Sequence, residues 1–175
     1  IEDCKVLDTW FSAGLKATGS NDIVVDDVFV PEHRTLQLAK LKGQPTPGSA
    51  VNDGHIYRLP LYAVFPFNIF APAVGIARGA LEVFCARTRE LVAITSGSRV
   101  AELTNVQIRI SEAAVEIDCA ELLAGRDRDE INHLARAGDV PTMEQRVRYR
   151  RDISYAASLC MRAVDRLVTV SGAHG

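Results

Sequence analysis

The chain has 175 residues, with 20 Lys and Arg against 22 Asp and Glu, so its formal charge is −2. Hydrophobic residues make up 47% and charged ones 24%, enough apolar surface to build a core and too little charge for a disordered chain. The near balance of charge excludes a general nucleic-acid binder, and the length suits one domain or a domain with part of another.

The first forty residues read as a small β segment. Phe11 to Ser20, with Gly14 and Gly19, reads as strand and turn. Asp22 to Val30 is β-branched and closed by Pro31, as in a strand leaving a sheet. Cys4, Cys85, Cys119 and Cys160 form no C-x-x-C pair, so neither a zinc site nor a disulfide framework is expected, and reduced thiols in a cytoplasmic protein fit best. Residue 1 is Ile, and no cationic stretch precedes an apolar core, so the sequence reads as a piece of a longer chain without a signal peptide in the part shown.

Lys42 to Gly54, with Pro45, Pro47, Gly48 and Asn52-Asp53-Gly54, reads as a loop. From Leu59 to Ala77 there is no charged residue, a length that could cross a bilayer. Pro60, Pro66 and Pro72 argue against a straight span, so a buried helix starting near Pro66 and kinked by Pro72 is expected instead, and no membrane partner. Val74, Ala77, Leu81, Phe84, Thr88 and Leu91 then recur on one helical face, and Ser96-Gly97-Ser98 is the expected stop. A second helix over residues 99–124, roughly 39 Å long at 1.5 Å per residue, carries Leu103, Val106, Ile110, Ala113, Ile117 and Ala120, with Gly125 expected beyond its end. Residues 126–139 read as a short exposed helix or mobile crossover stopped by Gly138. Thr142-Met143-Glu144-Gln145 is a capping-box pattern opening a third helix, whose seam is Ile153, Ala157, Cys160, Val164 and Leu167. Ala156, Ala157 and Ala163 permit close helix approach. Three such helices leave one flank uncovered, so a fourth helix or a partner subunit is expected there.

Several stretches resemble the acyl-CoA dehydrogenase superfamily. They are Leu15 to Asp22 followed by Val24 to Pro31, Gly75 to Leu81, Gln107 to Ala114, and Tyr155 to Ala157 through to Ser171-Gly172. Trp10 ahead of Gly14-Leu15 and the Thr18-Gly19-Ser20 triplet are most similar to the flavin-dependent monooxygenase branch, the oxygenase components of phenol hydroxylases. The resemblance covers the second half of a family member. It implies a mainly α fold: residues 1–40 complete the middle β-barrel domain, 41–63 link, and 64–175 form the C-terminal four-helix bundle without its last helix. It also implies reduced flavin (FMN or FAD), a separate flavin reductase, a small aromatic substrate and a homotetramer.

The same resemblance places Thr18, Gly19 and Ser20 beside the flavin and substrate cavity, where hydroxyls and backbone amides can hydrogen-bond a flavin edge or a phenol. A solvated strand turn explains these residues equally well. Ser20 stands where a phosphate-binding G-x-x-x-x-G-K-[ST] loop needs Lys, so a triphosphate site is not expected. Arg99 and Gln107, eight apart, are expected near one helical face, reaching the phosphates or adenine side of a flavin held by an adjoining subunit, and a guanidinium suits phosphate bidentately. Gly172 closes that set, with His174 just beyond it. Both side chains could also be plain helix surface. Arg146, Arg148, Arg150 and Arg151, flanked by Glu144 and Asp152, read as a solvated face with intrahelical ion pairs. His33, His55, His133 and His174 are scattered, and no metal site is expected.

A dehydrogenase of this fold needs a carboxylate base, and no Asp or Glu lies between Gly54 and Leu81, where the family carries one such Glu. Hydroxylation of an aromatic substrate with reduced flavin and oxygen is therefore the favoured reading. It needs a dry cavity, which the apolar stretch 59–77 would suit. Acyl-CoA dehydrogenation and a non-catalytic helical oligomerisation module stand as alternatives.

Overall fold

The computed structural model describes residues 3–93 and 97–171. The chain parts into two compact units, Ile1–Gln37 and Leu38–Gly175.

The first unit holds one antiparallel ribbon, β1 (Lys5–Leu7) against β2 (Asp22–Val24), in register Lys5 to Val24, Val6 to Ile23 and Leu7 to Asp22. The strand expected over Asp22–Val30 stops after three residues, and Asp27 takes a positive φ of 48° that no ladder accommodates. Phe11 to Ser20 is no strand either. Its centre is a single 3-10 turn, Lys16–Thr18, flanked by left-handed Leu15 and Gly19. Asn21 explains the difference. Its Oδ1 accepts from the amides of Thr9 and Trp10 at 3.0 Å each, while Thr9 Oγ1 accepts from the Asp22 amide at 3.0 Å, so side chains take the bonds a ladder would use.

In the second unit, Pro47–Val51 forms a one-turn helix, α1, inside the segment expected as a loop. Thr46 Oγ1 accepts from the Ser49 amide, and Ser49 Oγ accepts from the Thr46 amide, a complete capping box. Three long helices follow: α2 (Leu61–Glu90), α3 (Thr104–Ala137) and α4 (Met143–Val170). The chain is mainly α, with a C-terminal helical domain.

The α2 helix begins at Leu61, ahead of the expected Pro66, and both Pro66 and Pro72 lie inside it. Each proline withdraws one backbone donor, yet Ala63, Phe70, Ala77 and Phe84, spaced by seven, are all buried, so packing outweighs the two lost bonds. The helix ends at Glu90, earlier than expected. Leu91 caps it and is partly exposed, and Val92 bridges Arg99 in a tight reversal. Ser96 lies outside the described residues.

The α3 helix runs through Gly125, the expected stop, and adds the segment expected as a separate crossover. Its 34 residues span about 51 Å. A glycine inside a helix costs about 1 kcal/mol, but Asp127, Ile131 and Ala135 beyond it continue the buried row, so the helix propagates. Gly138 is the true end: φ is 83°, and its amide bonds Ala135 O and Leu134 O. The α4 start is the expected one, with Thr142 Oγ1 accepting from Gln145 N at 3.2 Å and Gln145 Oε1 accepting from Thr142 N at 2.8 Å.

The core lies along the α3–α4 seam, where Ala113, Ile117 and Ala120 meet Ala156, Cys160 and Ala163, with Phe70, Ala77 and Phe84 of α2 laid across. Small residues let the backbones approach closely. Ion pairs bind the outside: Arg78 of α2 reaches Asp118 and Glu121 of α3, and Arg166 of α4 reaches Glu112 and Glu116. Beside the buried row of α2, Tyr62, Ile69, Ile76 and Val83 form an exposed row, and Ile108, Val115 and Leu122 form another on α3. By length and hydropathy α2 is the one described helix that could cross a membrane; its buried row packs on α3 and α4 instead.

Candidate functional site

At the end of the helical unit where α2 stops and α3 starts, the reversal is held by backbone bonds. Ala93 N donates to Ser98 O at 2.8 Å, and Val100 N donates to Leu91 O at 2.9 Å. Arg99 sits in this bridge, with β conformation, and caps the 3-10 turn Val100–Glu102. It is therefore not on the helix. The helical spacing expected between Arg99 and Gln107 does not apply, because the 3-10 turn and the extended Leu103 separate them. Both nevertheless belong to one end of the unit, and Gln107 Nε2 folds back to donate to Ala101 O at 3.1 Å. Both side chains are exposed, and Arg99 pairs with no described carboxylate. Gly172 and His174 lie outside the described residues.

A cavity of about 610 Å³ opens at this same end, between the last turns of α2 and α4 and the first of α3. Phe84, Leu103, Val106 and Leu167 make it apolar, and Thr88 and Ser171 contribute hydroxyls. Thr88 is buried, and its hydroxyl donates to Phe84 O at 2.9 Å, so it presents no unmet donor to the cavity. Such a wall accepts a flat apolar or aromatic group, and Arg87 and Asn105, which line it, are available for a polar or anionic end, whereas Arg99 and Gln107 are not among its lining residues. No sequence signal marked this cavity, because three separate helices line it.

In the first unit, Thr18, Gly19 and Ser20 are exposed, Thr18 ending the 3-10 helix and Gly19 capping it. Thr18 Oγ1 lies 2.9 Å from Leu15 O and 3.0 Å from Ser20 Oγ, so the two hydroxyls are joined to each other, and Gly19 holds its left-handed φ of 56°.

The opposite end of the bundle carries polar residues that periodicity passed over. Asp127 and Asp152 are buried, and Arg126 bridges them, giving Nε and Nη2 to Asp127 Oδ1 and Nη2 to Asp152 Oδ2. Arg151 Nε adds a 2.6 Å bond to Asp152. Arg148 crosses to Glu130 of α3. The basic cluster of α4 is thus partly an interhelical clamp rather than a solvated face with intrahelical pairs, since Tyr149 and Asp152 inside it are buried. Burial pushes the Asp127 carboxyl up despite Arg126, whereas Arg151 and Arg126 overcome burial to hold Asp152 below its ordinary value. Burial also pushes the Cys160 thiol up, away from a reactive thiolate. Asp127 was legible in principle: Val106, Ala113 and Ala120 point on, seven residues later, to position 127.

Residues 68–175 match the acyl-CoA dehydrogenase C-terminal domain. The chain belongs to the acyl-CoA dehydrogenase superfamily. Within it, the chain is 36% identical over 174 residues to the flavin-dependent monooxygenase oxygenase subunit HsaA of Rhodococcus jostii, covering 98% of this chain and 45% of that one. It is 33% identical over 180 residues to the FADH(2)-dependent resorcinol hydroxylase oxygenase component of a Rhizobium species, covering 97% and 44%. The crystal structure of 3-HSA hydroxylase from Rhodococcus sp. RHA1 superposes with a TM-score of 0.84 at 34% identity, over 99% of this chain and 45% of that one. XiaF from Streptomyces, in complex with FADH2 and glycerol, gives 0.84 at 26% identity, over 99% and 44%. The chain therefore spans less than half the length of the relatives it matches, and within the superfamily those relatives are monooxygenases.

Proposed function

We propose that this chain is part of the oxygenase component of a flavin-dependent monooxygenase that hydroxylates a small phenolic substrate. The observation that carries the reading is the match along almost the whole chain to an oxygenase subunit, at 36% identity. The absence of any Asp or Glu between Gly54 and Leu81 supports oxygenation over dehydrogenation, which needs a carboxylate base. Reduced flavin, FMN or FAD, supplies the activation of oxygen when bound, and the FADH2-bound XiaF and the FADH2-dependent relative favour FAD.

On this reading, residues 1–40 belong to the middle β domain, 41–63 link, and 64–175 form the bundle. Arg99, Gln107 and Gly172 face the phosphate and adenine side of a flavin held by a neighbouring subunit. Two observations support that role: Arg99 is exposed and pairs with no described carboxylate, and the cavity of about 610 Å³ at the same end of the unit is lined by its neighbour Val100 and by the cationic Arg87. Thr18, Gly19 and Ser20 serve the flavin edge or the phenol, their hydroxyls orienting a bound group by hydrogen bonds. A separate reductase delivers the flavin in the cytoplasm. The assembly is a homotetramer on this reading, and the exposed apolar rows of α2 and α3 support a covering fourth helix or partner subunit, since large exposed apolar surface marks an interface.

The test is turnover of the full-length protein with reduced flavin and isotopically labelled oxygen. Labelled hydroxyl in a phenolic product is expected, and a product without the label would overturn the reading. Arg99→Ala is expected to weaken flavin binding about tenfold, the loss of one charge-assisted phosphate contact.

A further inference from the structure

Three buried polar atoms between α3 and α4 have no well-aligned hydrogen-bond partner among the described residues: Asp127 Oδ2, Arg148 Nε and Tyr149 Oη, although the Arg148 guanidinium lies within reach of the Tyr149 hydroxyl. They are chemically complementary. Asp127 Oδ2 accepts, Arg148 Nε donates, and the Tyr149 hydroxyl does either. They are also neighbours. The Arg148 guanidinium lies 5.2 Å from the centroid of the Tyr149 ring, and its Nε is 3.9 Å from Asp127 Oδ1, too far for a direct bond. The charges of Arg148 and Asp127 both act on the Tyr149 hydroxyl, which burial pushes above its ordinary pKa.

We propose that Asp127, Arg148 and Tyr149 form a binding site for one buried water molecule between α3 and α4. Folded proteins pair nearly all buried polar groups, and an internal water with about three bonds is the usual partner where the chain supplies none. The surrounding charge selects a neutral guest. Arg126 and Arg148 disfavour a cation, while Asp127, Asp152 and Glu130 disfavour an anion, and on the α2 side Ala63, with Leu59, Val64 and Phe67 around it, offers only apolar contact to Tyr149. Arg126 occupies Asp127 Oδ1 twice, which leaves Oδ2 as the open acceptor of the carboxylate. The water lets Asp127 stay in the interior on the buried row of α3, and it joins α3 to α4 where the seam runs out of alanines.

A crystal structure of the full-length protein at a resolution that shows ordered water tests the site. Density within about 3.2 Å of all three atoms is expected. A direct bond from the Tyr149 hydroxyl to Asp127 Oδ2, or from Arg148 Nε to Tyr149 Oη, or no density, would overturn the proposal. Tyr149→Phe keeps the ring packing and removes one partner. Oxygen-17 relaxation dispersion in solution is expected to report one fewer long-lived internal water in that variant, and an unchanged count would also sink the idea.

Discussion

Between Asp3 and Gln37 no residue is buried, whereas the unit from Leu38 onward carries the entire core. Both contain large apolar side chains. In the first they stand exposed, Phe11 and Phe29 above 80%, while in the second Phe70 and Phe84 of α2, Ile117 of α3 and Leu159 of α4 share one core. The difference is one of partners. A ribbon of two short strands cannot bury its faces alone, and helices stacked in register can.

The largest effect is expected where the second unit is charged inside. Arg126→Leu strips the shared partner from two buried aspartates, with Arg151 and Arg148 remaining, and is expected to cost about 3 kcal/mol in urea unfolding, the lower end for breaking a buried pair. Overpacking the alanine seam comes next. Ala120→Leu or Ala156→Leu is expected to lose about 2 kcal/mol, because neither site has room for extra methylenes. By contrast, Phe29→Ser in the first unit is expected to change the unfolding of this chain by less than about 0.5 kcal/mol, and a larger loss would erase the distinction between the units. Thr142→Ala removes the α4 cap and is expected to cost about 1 kcal/mol, readable as a lowered urea midpoint.

The pH dependence is the smallest and the most specific effect. Arg78 holds Glu121 below its ordinary value, and Arg151 with Arg126 does the same for Asp152. A depressed folded-state pKa adds stability above the unfolded pKa, so this part is lost as pH falls below about 4. Asp127 works with the opposite sign. Its raised pKa favours the protonated form in the fold, so its contribution is lost as pH rises through that value. Asp127→Asn is expected to flatten the slope above about pH 4 while leaving the acid limb intact, as measured by stability against pH.

Much of the helical architecture was legible. The capping box at Thr142 and the αL stop at Gly138 stand where local chemistry puts them, since both depend on side chains or φ values within four residues. The misreadings share one cause. Pro66, expected near the start of its helix, and Gly125, expected as a stop, are local breakers that lie inside α2 and α3 because the buried row of each helix continues past them onto its neighbours, while Pro72 lies inside α2 as expected. The strand expected over Asp22–Val30 stops at Val24, where its partner strand begins at Lys5, and Asp27 beyond it turns to a positive φ. Among candidate site residues, Arg99 and Gln107 share one end of the unit, but Arg99 belongs to a β-bridge that no periodicity announces.

A seven-residue spacing of apolar side chains is a property of the chain, so the existence and inward faces of the three long helices, with the Thr142 cap and the Gly138 stop, follow from residue order. Which helices meet is not. The cavity at the Arg99 end, the Arg126 bridge and the enclosure of Asp127 arise only when α2, α3 and α4 converge, because burial and desolvation are set by neighbours far away along the chain.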